Sequence, residues 1–260
     1  MHAKRINLNA DLGEGYGPWR MGDDAAMLAI VASANIACGG HAGDPDVMRR
    51  TVRLAQERGV SLGAHPSYPD LQGFGRRAMA LSAAELENQI AAQVGALAAI
   101  AALEAARVTH VKPHGALNNL ACVERGVADT ISRAVHAIDP GLILLAPAAS
   151  QLVAAGRAAG LAVVEEIFAD RAYLPDGQLV PRSRPDAMIH GAAACLAHVL
   201  AMLDAGALIA VDGSRIPTPI GSICVHGDNP DAVAVARHLR QELAAAGYAI
   251  VTLPELVAGN

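Results

Sequence analysis

Asn7-Leu8-Asn9-Ala10-Asp11-Leu12-Gly13-Glu14-Gly15-Tyr16-Gly17 forms the first candidate strand and the loop that follows it. Alternation places Asn7, Asn9 and Asp11 on one face of an extended segment. Strands of a parallel sheet covered on both faces read as near-continuous apolar runs, so two amides and a carboxylate on one face need an interior that can satisfy them. The plain alternative is a glycine-rich turn whose acids cap the next helix. These glycines lack the GxGxxG spacing, and GxxxxGK[ST] occurs nowhere in the chain, so it has no P-loop of its own.

Outward from this stretch, short aliphatic runs alternate with longer Ala-rich stretches of helical period, the pattern of β/α units around a parallel sheet. Strands are expected at residues 6–10, 34–37, 60–64, 108–112, 142–146, 162–167, 207–211, 222–225 and 249–252. Helices are expected at 46–58, 83–106, 124–138, 150–159, 186–205 and 231–246. Ser82 with Glu85 forms a capping-box signal, and Gly59, Gly160, Gly206 and Gly247 stand where helices should stop. No linker or internal repeat divides the chain, so a single domain over 1–260 is expected. An open doubly wound sheet gathers its functional groups at one switch point, whereas a barrel draws them from the ends of many strands. Polar clusters follow nearly every strand here, which favours an irregular (β/α) barrel.

Composition narrows the function. The 260 residues are 53% hydrophobic and 17% charged, which excludes a disordered tail. Twenty basic against 25 acidic side chains, with no Lys/Arg block, argue against nucleic acid as a partner, because that affinity comes largely from phosphate neutralisation. Cys38, Cys122, Cys195 and Cys224 form no CxxC pair, so reduced thiols in a cytoplasm fit best. There is no signal-peptide core after Met1, and every apolar run falls short of the roughly 20 residues needed to cross a bilayer. A soluble cytoplasmic protein is expected.

Candidate site residues cluster after the strands. Asn35-Ile36-Ala37-Cys38-Gly39-Gly40-His41-Ala42-Gly43-Asp44 ends on an acid equally suited to cap the next helix. His65-Pro66-Ser67-Tyr68-Pro69-Asp70 leads to Arg76, which could clamp a carboxylate or lie in solvent. Lys112-Pro113-His114 puts two potential proton donors or acceptors on one face. Asp170-Arg171 lies beyond another strand, and His226-Gly227-Asp228 beyond the last cluster. A lone histidine is more often structural than catalytic; it is the joint placement of His41, His65, His114 and His226 just past strands that points to a site. His136, His190, His198 and His238 fall in helical stretches and read as surface or packing residues, and His110, within a strand, reads as pointing away. Cys38 and Cys224 read as packing.

Six strings in one order resemble the LamB/YcsF family: NLNADLGEGYG from residue 7, ANIACGGHAGDP from 34, GAHPSYPD from 63, VKPHGAL from 111, FADR from 168 and VHGD from 225. Asn118 departs from the tyrosine expected there. The resemblance implies a glycoside hydrolase/deacetylase-like, irregular β/α barrel. It also implies hydrolysis of the lactam of 5-oxo-L-proline to L-glutamate coupled to ATP hydrolysis, with two further subunits, B and C. Since no P-loop is present, ATP is expected to be handled with those partners. A homo-oligomer is left open.

On this reading Asp11 and His114 move protons and orient water, with His65 in the same catalytic group. Lys112 meets the developing charge, and Arg76 or Arg171 meets the substrate carboxylate. Glu14, His41, Asp44, Asp170, His226 and Asp228 complete the substrate-binding candidates. A second reading is a stand-alone metal-dependent deacetylase or amidohydrolase with Asp11, His41 and His65 on a divalent cation. A third is a non-catalytic small-molecule-binding subunit.

Overall fold

The computed structural model describes residues 4–225 and 232–259. In chain order the elements are β1 (Lys4–Leu12), α1 (Asp24–Leu28), β2 (Ser33–Ala37), α2 (Pro45–Glu57), β3 (Ser61–His65), α3 (Ala83–Ala102) and β4 (Val108–Val111). Then follow α4 (Gly115–Val123), α5 (Arg125–Ile138), β5 (Ile143–Pro147), α6 (Gln151–Ala158), β6 (Ala162–Phe168) and α7 (Ala192–Ala205). The chain continues through β7 (Ala207–Ile209), β8 (Arg215–Pro217), β9 (Ser222–Val225), α8 (Ala232–Ala245), β10 (Tyr248–Ile250) and α9 (Leu253–Ala258).

Strands β1 to β6 and β9 pair in parallel, and β9 pairs with both β6 and β1, which closes a seven-stranded barrel. β1 meets β2 through Asn9–Leu12 and β9 through Asn7–Ala10, while its first residues, Lys4–Ile6, pair with β10. Closure gives the polar face of β1 its interior. Ile6, Leu8, Ala10 and Leu12 face the helices in the main apolar cluster, while Asn7, Asn9 and Asp11 point along the barrel axis.

The base of the barrel is filled differently. Ile143 and Leu145 of β5 and Val164 of β6 cluster with Leu253 and Leu256 of α9, so the C-terminal helix plugs the end opposite the C-terminal mouth of the barrel. Leu253 N–H donates to Ser33 Oγ and Asn7 Nδ2 to the Val251 carbonyl, so the plug is also hydrogen-bonded to the polar column.

Helices α1, α4 and α9 and strand β8 are additional to the expected elements, and two expected elements come out differently. Residues 207–211, expected as a barrel strand, instead form β7, antiparallel to β8 and outside the barrel. The cause is the Asp212-Gly213 turn, in which Gly213 has φ +84° and the Ala210 and Ser214 backbones bond across the hairpin. The helix expected from residue 186 begins only at Ala192. Gly191 holds φ +84° and the Asp186 carboxylate is engaged by Arg184, so the preceding stretch runs as a loop. No described helix is long and apolar enough to cross a membrane.

Candidate active site

The C-terminal mouth of the barrel opens into a cavity of about 570 Å³ whose lining includes Asp11, Glu14, His65, Arg76, Lys112, His114 and Arg171. Asp11 is delivered by the last turn of pleat in β1, His65 by the end of β3, and Lys112 by the residue just after β4. Two glycines let the loops approach one another. Gly75 (φ +63°) would place a Cβ 2.9 Å from both the His41 and His114 side chains, and Gly115 (φ +59°) would place one 2.5 Å from the Gly75 carbonyl.

Lys112 is the electrostatic centre. Its Nζ lies 3.0 Å from Asp11 Oδ1, 3.2 Å from Glu166 Oε2, 3.4 Å from Asn9 Oδ1 and 3.1 Å from Cys224 Sγ, and 5.4 Å from the Phe168 ring centroid. Burial opposes its charge, but Asp11, Cys224 and Glu166 outweigh that and hold its pKa well above the ordinary lysine value. Burial pushes Glu166 up, with Lys112 opposing, and pushes the Cys224 thiol well above its usual range. Asn9 and Asn35 tie this charge to the barrel below: Asn35 Nδ2 donates to Asn9 Oδ1 and Asp11 Oδ1, both at 2.8 Å, and Asn9 Nδ2 donates to Ser222 Oγ and Glu166 Oε2.

Beside it stands a histidine group. His65 Nδ1 donates to the Lys112 carbonyl at 2.6 Å, and His114 Nε2 to the Phe74 carbonyl at 2.9 Å. The remaining nitrogens, His65 Nε2 and His114 Nδ1, face each other at 3.0 Å, with Asp11 Oδ2 3.3 Å from the first and Glu14 Oε1 3.7 Å from the second. His41 stacks on His114 at 3.7 Å and reaches Glu14 Oε1 at 3.0 Å; its Nδ1 is buried with no hydrogen-bond partner among the described residues. Burial first, then neighbouring imidazoles, hold His41 and His114 well below the ordinary histidine range, so both rings are neutral. Glu14, His41, His65 and His114 each offer an atom within 4.8 Å of the others, a donor set that fits a metal ion.

The other candidates fall at different distances. Arg76 lies over the Phe74 ring and lines the cavity; buried Arg171 also lines it, its Nη2 donating to the Val180 carbonyl and its Nε making no hydrogen bond among the described residues. Burial, then the like charges of Arg182 and Arg76, lower the Arg171 pKa, so three guanidinium groups share one region. Asp44 does not line the cavity: its Oδ1 accepts from the Asp46 and Val47 N–H groups to cap α2, and its Oδ2 accepts from Gly17 N–H. Asp170 is buried next to Arg171, likewise off the lining. His226 and Asp228 lie outside the described residues. His110, expected to point away, turns inward, with Nε2 3.1 Å from Asn35 Oδ1. Cys224 packs as expected, but against Lys112. Glu166 was missed, although alternation along the apolar β6 would have put one of the adjacent Glu165 and Glu166 inside.

Fold and site together define a closed, seven-stranded parallel β/α barrel whose ionisable groups converge at one mouth. Residues 6–258 match the LamB/YcsF family, and the chain belongs to it. Among relatives, the A subunit of 5-oxoprolinase from Azoarcus sp. (strain BH72) is 59% identical, covering 97% of this chain and 98% of that protein. The protein of the same name from Methylococcus capsulatus (strain ATCC 33009 / NCIMB 11132 / Bath) is 56% identical over 99% of both. Among solved structures, the lactam utilization protein from Thermus thermophilus superposes with a TM-score of 0.90 at 43% identity, covering 96% of this chain and 100% of that one. A T48 deacetylase, at 15% identity and a TM-score of 0.52 over 99% and 92% of the two chains, shares the fold alone.

Proposed function

We propose that this chain is the A subunit of an ATP-dependent 5-oxoprolinase that, with subunits B and C, opens the lactam of 5-oxo-L-proline to L-glutamate while ATP becomes ADP and phosphate. The observation that carries this reading is the meeting of Asp11, His65, Lys112 and His114 at one cavity in a chain nearly coextensive with relatives of that name. A lactam carbonyl is a poor electrophile because the nitrogen lone pair is delocalised onto it. Transfer of the ATP γ-phosphoryl group to the carbonyl oxygen, with release of ADP, would create a good acceptor for water. Asp11 and His114 orient that water, take its proton and pass it to the ring nitrogen as the C–N bond breaks; the acyl phosphate so formed gives L-glutamate and phosphate with a second water. His65, between them, holds their geometry. Lys112, held charged, meets the developing oxyanion or phosphate charge. Arg171 or Arg76 takes the substrate carboxylate, bidentate where the guanidinium is presented edge-on. Glu14 and His41 support the histidine group. Asp44 and Asp170 remain candidates for binding further from the reacting bond, and His226 and Asp228 remain substrate-binding candidates. Nucleotide is handled with the partner subunits, in keeping with the lack of a P-loop.

The test is consumption of 5-oxoproline and ATP by the chain alone and with its partner subunits. Activity is expected only in the complex. Lactam cleavage by the chain alone without ATP would instead support a stand-alone hydrolase. Full turnover in a complex carrying both Asp11→Asn and Lys112→Met would leave a binding role.

A further inference from the structure

A carbonyl oxygen only accepts, so the Lys112 and Phe74 carbonyls place a hydrogen on Nδ1 of His65 and on Nε2 of His114. That turns the other nitrogen of each ring towards its neighbour at 3.0 Å, able to offer a lone pair, and the carboxylates of Asp11 and Glu14 converge on the same space. A cation among them engages both ring nitrogens and the carboxylates at once, whereas one shared proton serves only the imidazole pair. We infer that Glu14 Oε1, His65 Nε2 and His114 Nδ1 bind a divalent transition-metal cation of the zinc class, with Asp11 at its edge.

Distances support that set. Donors about 2.0–2.2 Å from a tetrahedral ion stand about 3.3–3.6 Å apart; here the imidazole nitrogens are 3.0 Å apart and His114 Nδ1 is 3.7 Å from Glu14 Oε1. His41 is not a ligand. Its ring lies parallel to His114 within 4°, 3.7 Å away, so an ion in the plane of His114 would lie off the His41 plane. Its 3.0 Å contact to Glu14 instead makes it the outer partner that aims the carboxylate, as the two backbone carbonyls aim the other ligands. Nitrogen and oxygen donors without a thiolate suit zinc, cobalt, nickel or manganese. Three protein ligands beside an open cavity match a catalytic rather than a structural site. A cation held there supplies Lewis acidity toward a carbonyl or lowers the pKa of a water.

Nothing in an ATP-driven lactam cleavage requires such an ion, so the inference goes beyond the proposed function and its test uses no lactam. The full chain, stripped with chelator, is titrated with Zn²⁺ by calorimetry and with Co²⁺ by visible absorption. One equivalent should bind with four-coordinate cobalt absorption, and Zn²⁺ should raise the melting temperature. His65→Gln and His114→Gln should each weaken binding by about a hundredfold or more, and Glu14→Gln by about tenfold. His136→Asn, on the exposed face of α5, should change nothing. Zinc binding by wild type no tighter than by the His65→Gln/His114→Gln double variant overturns the site and leaves a shared proton. Because Glu14→Gln alters a partly exposed group, its effect is read independently of any folding defect in the histidine variants. Zinc bound to a chain whose complex ignores 5-oxoproline would overturn the proposed function and keep this site; the converse result would do the opposite.

Discussion

Lys112 ties two buried carboxylates together while it lines the cavity. Its ammonium is the counter-ion of both Asp11 and the fully buried Glu166. Lys112→Met should therefore cost about 3–5 kcal/mol by stranding a buried carboxylate, and should lower turnover of the complex by about 10²–10⁴. Adding Glu166→Gln should restore part of the stability, read by urea unfolding, and none of the turnover. Recovery of both would place Lys112 outside the chemistry. Gly63 is a second single-residue constraint, since a Cβ there would lie 2.1 Å from His110 Nε2. Gly63→Ala should destabilise by about 1–3 kcal/mol through overpacking, and a variant as stable as wild type in a thermal melt would show that His110 can move aside.

Elements are held by their ends. Ser82 accepts from Glu85 N–H while Glu85 reaches back to Ser82, a complete capping box at the start of α3. Ser82→Ala should cost about 0.5–2 kcal/mol and Ser82→Asp much less, measured by chemical denaturation. Beyond the other end of α3, Glu104 is gripped by Arg49 and Arg53 of α2, and their hydrogen bonds pull its pKa from 4.5 to about 2. A carboxylate depressed in the folded state adds stability above its unfolded pKa and loses it as pH falls through its folded value. Wild type and Glu104→Gln should thus differ at pH 6 and converge near pH 2; a constant gap would assign the effect to packing. Solvent around the two half-exposed arginines keeps that gap small.

At the scale of the whole molecule, the barrel has an apolar plug at one end and a charged mouth at the other. Leu253, fully buried under β5 and β6, should cost about 2–5 kcal/mol on truncation to alanine. Turnover per folded molecule should be unchanged, since the plug lies opposite the cavity; a fall in kcat at full folding would couple base to mouth. The interior should also make the protein acid-sensitive. Burial holds His110 at about 3, far below the 6.5 of the unfolded chain, and His41 and His114 are likewise depressed. Below pH 6.5 only the unfolded state takes up these protons, so stability is complete above that pH and declines toward pH 3. Each histidine adds up to about 1.4 kcal/mol per pH unit. His110→Gln should flatten the decline between pH 6.5 and 5 by about one such slope, read from urea midpoints, and an unchanged slope would show that His110 is protonated in the fold.

Alternation and capping signals were enough to locate β1 to β6, β9 and most helices, because each depends on neighbours a few residues away. The inward face of Asn7, Asn9 and Asp11 was legible for the same reason, and so was the placement of His41, His65 and His114 past strand ends. Residues 207–211 were misassigned because an aliphatic run reads alike in a barrel strand and a surface hairpin. His110 and Glu166 escaped notice because their value lies in partners, Asn35 and Lys112, that arrive from other strands.

Sequence alone, then, determined the β/α order, the polar face of the first strand and the family likeness, since periodicity and motif are properties of local chain. Tertiary structure alone decided which ionisable groups meet. Pairing β9 with β1 across more than two hundred residues brings Cys224 to Lys112, and carbonyls of Lys112 and Phe74 choose the tautomers of His65 and His114. Those outcomes depend on distance and direction in a closed, low-dielectric interior, which no linear spacing encodes.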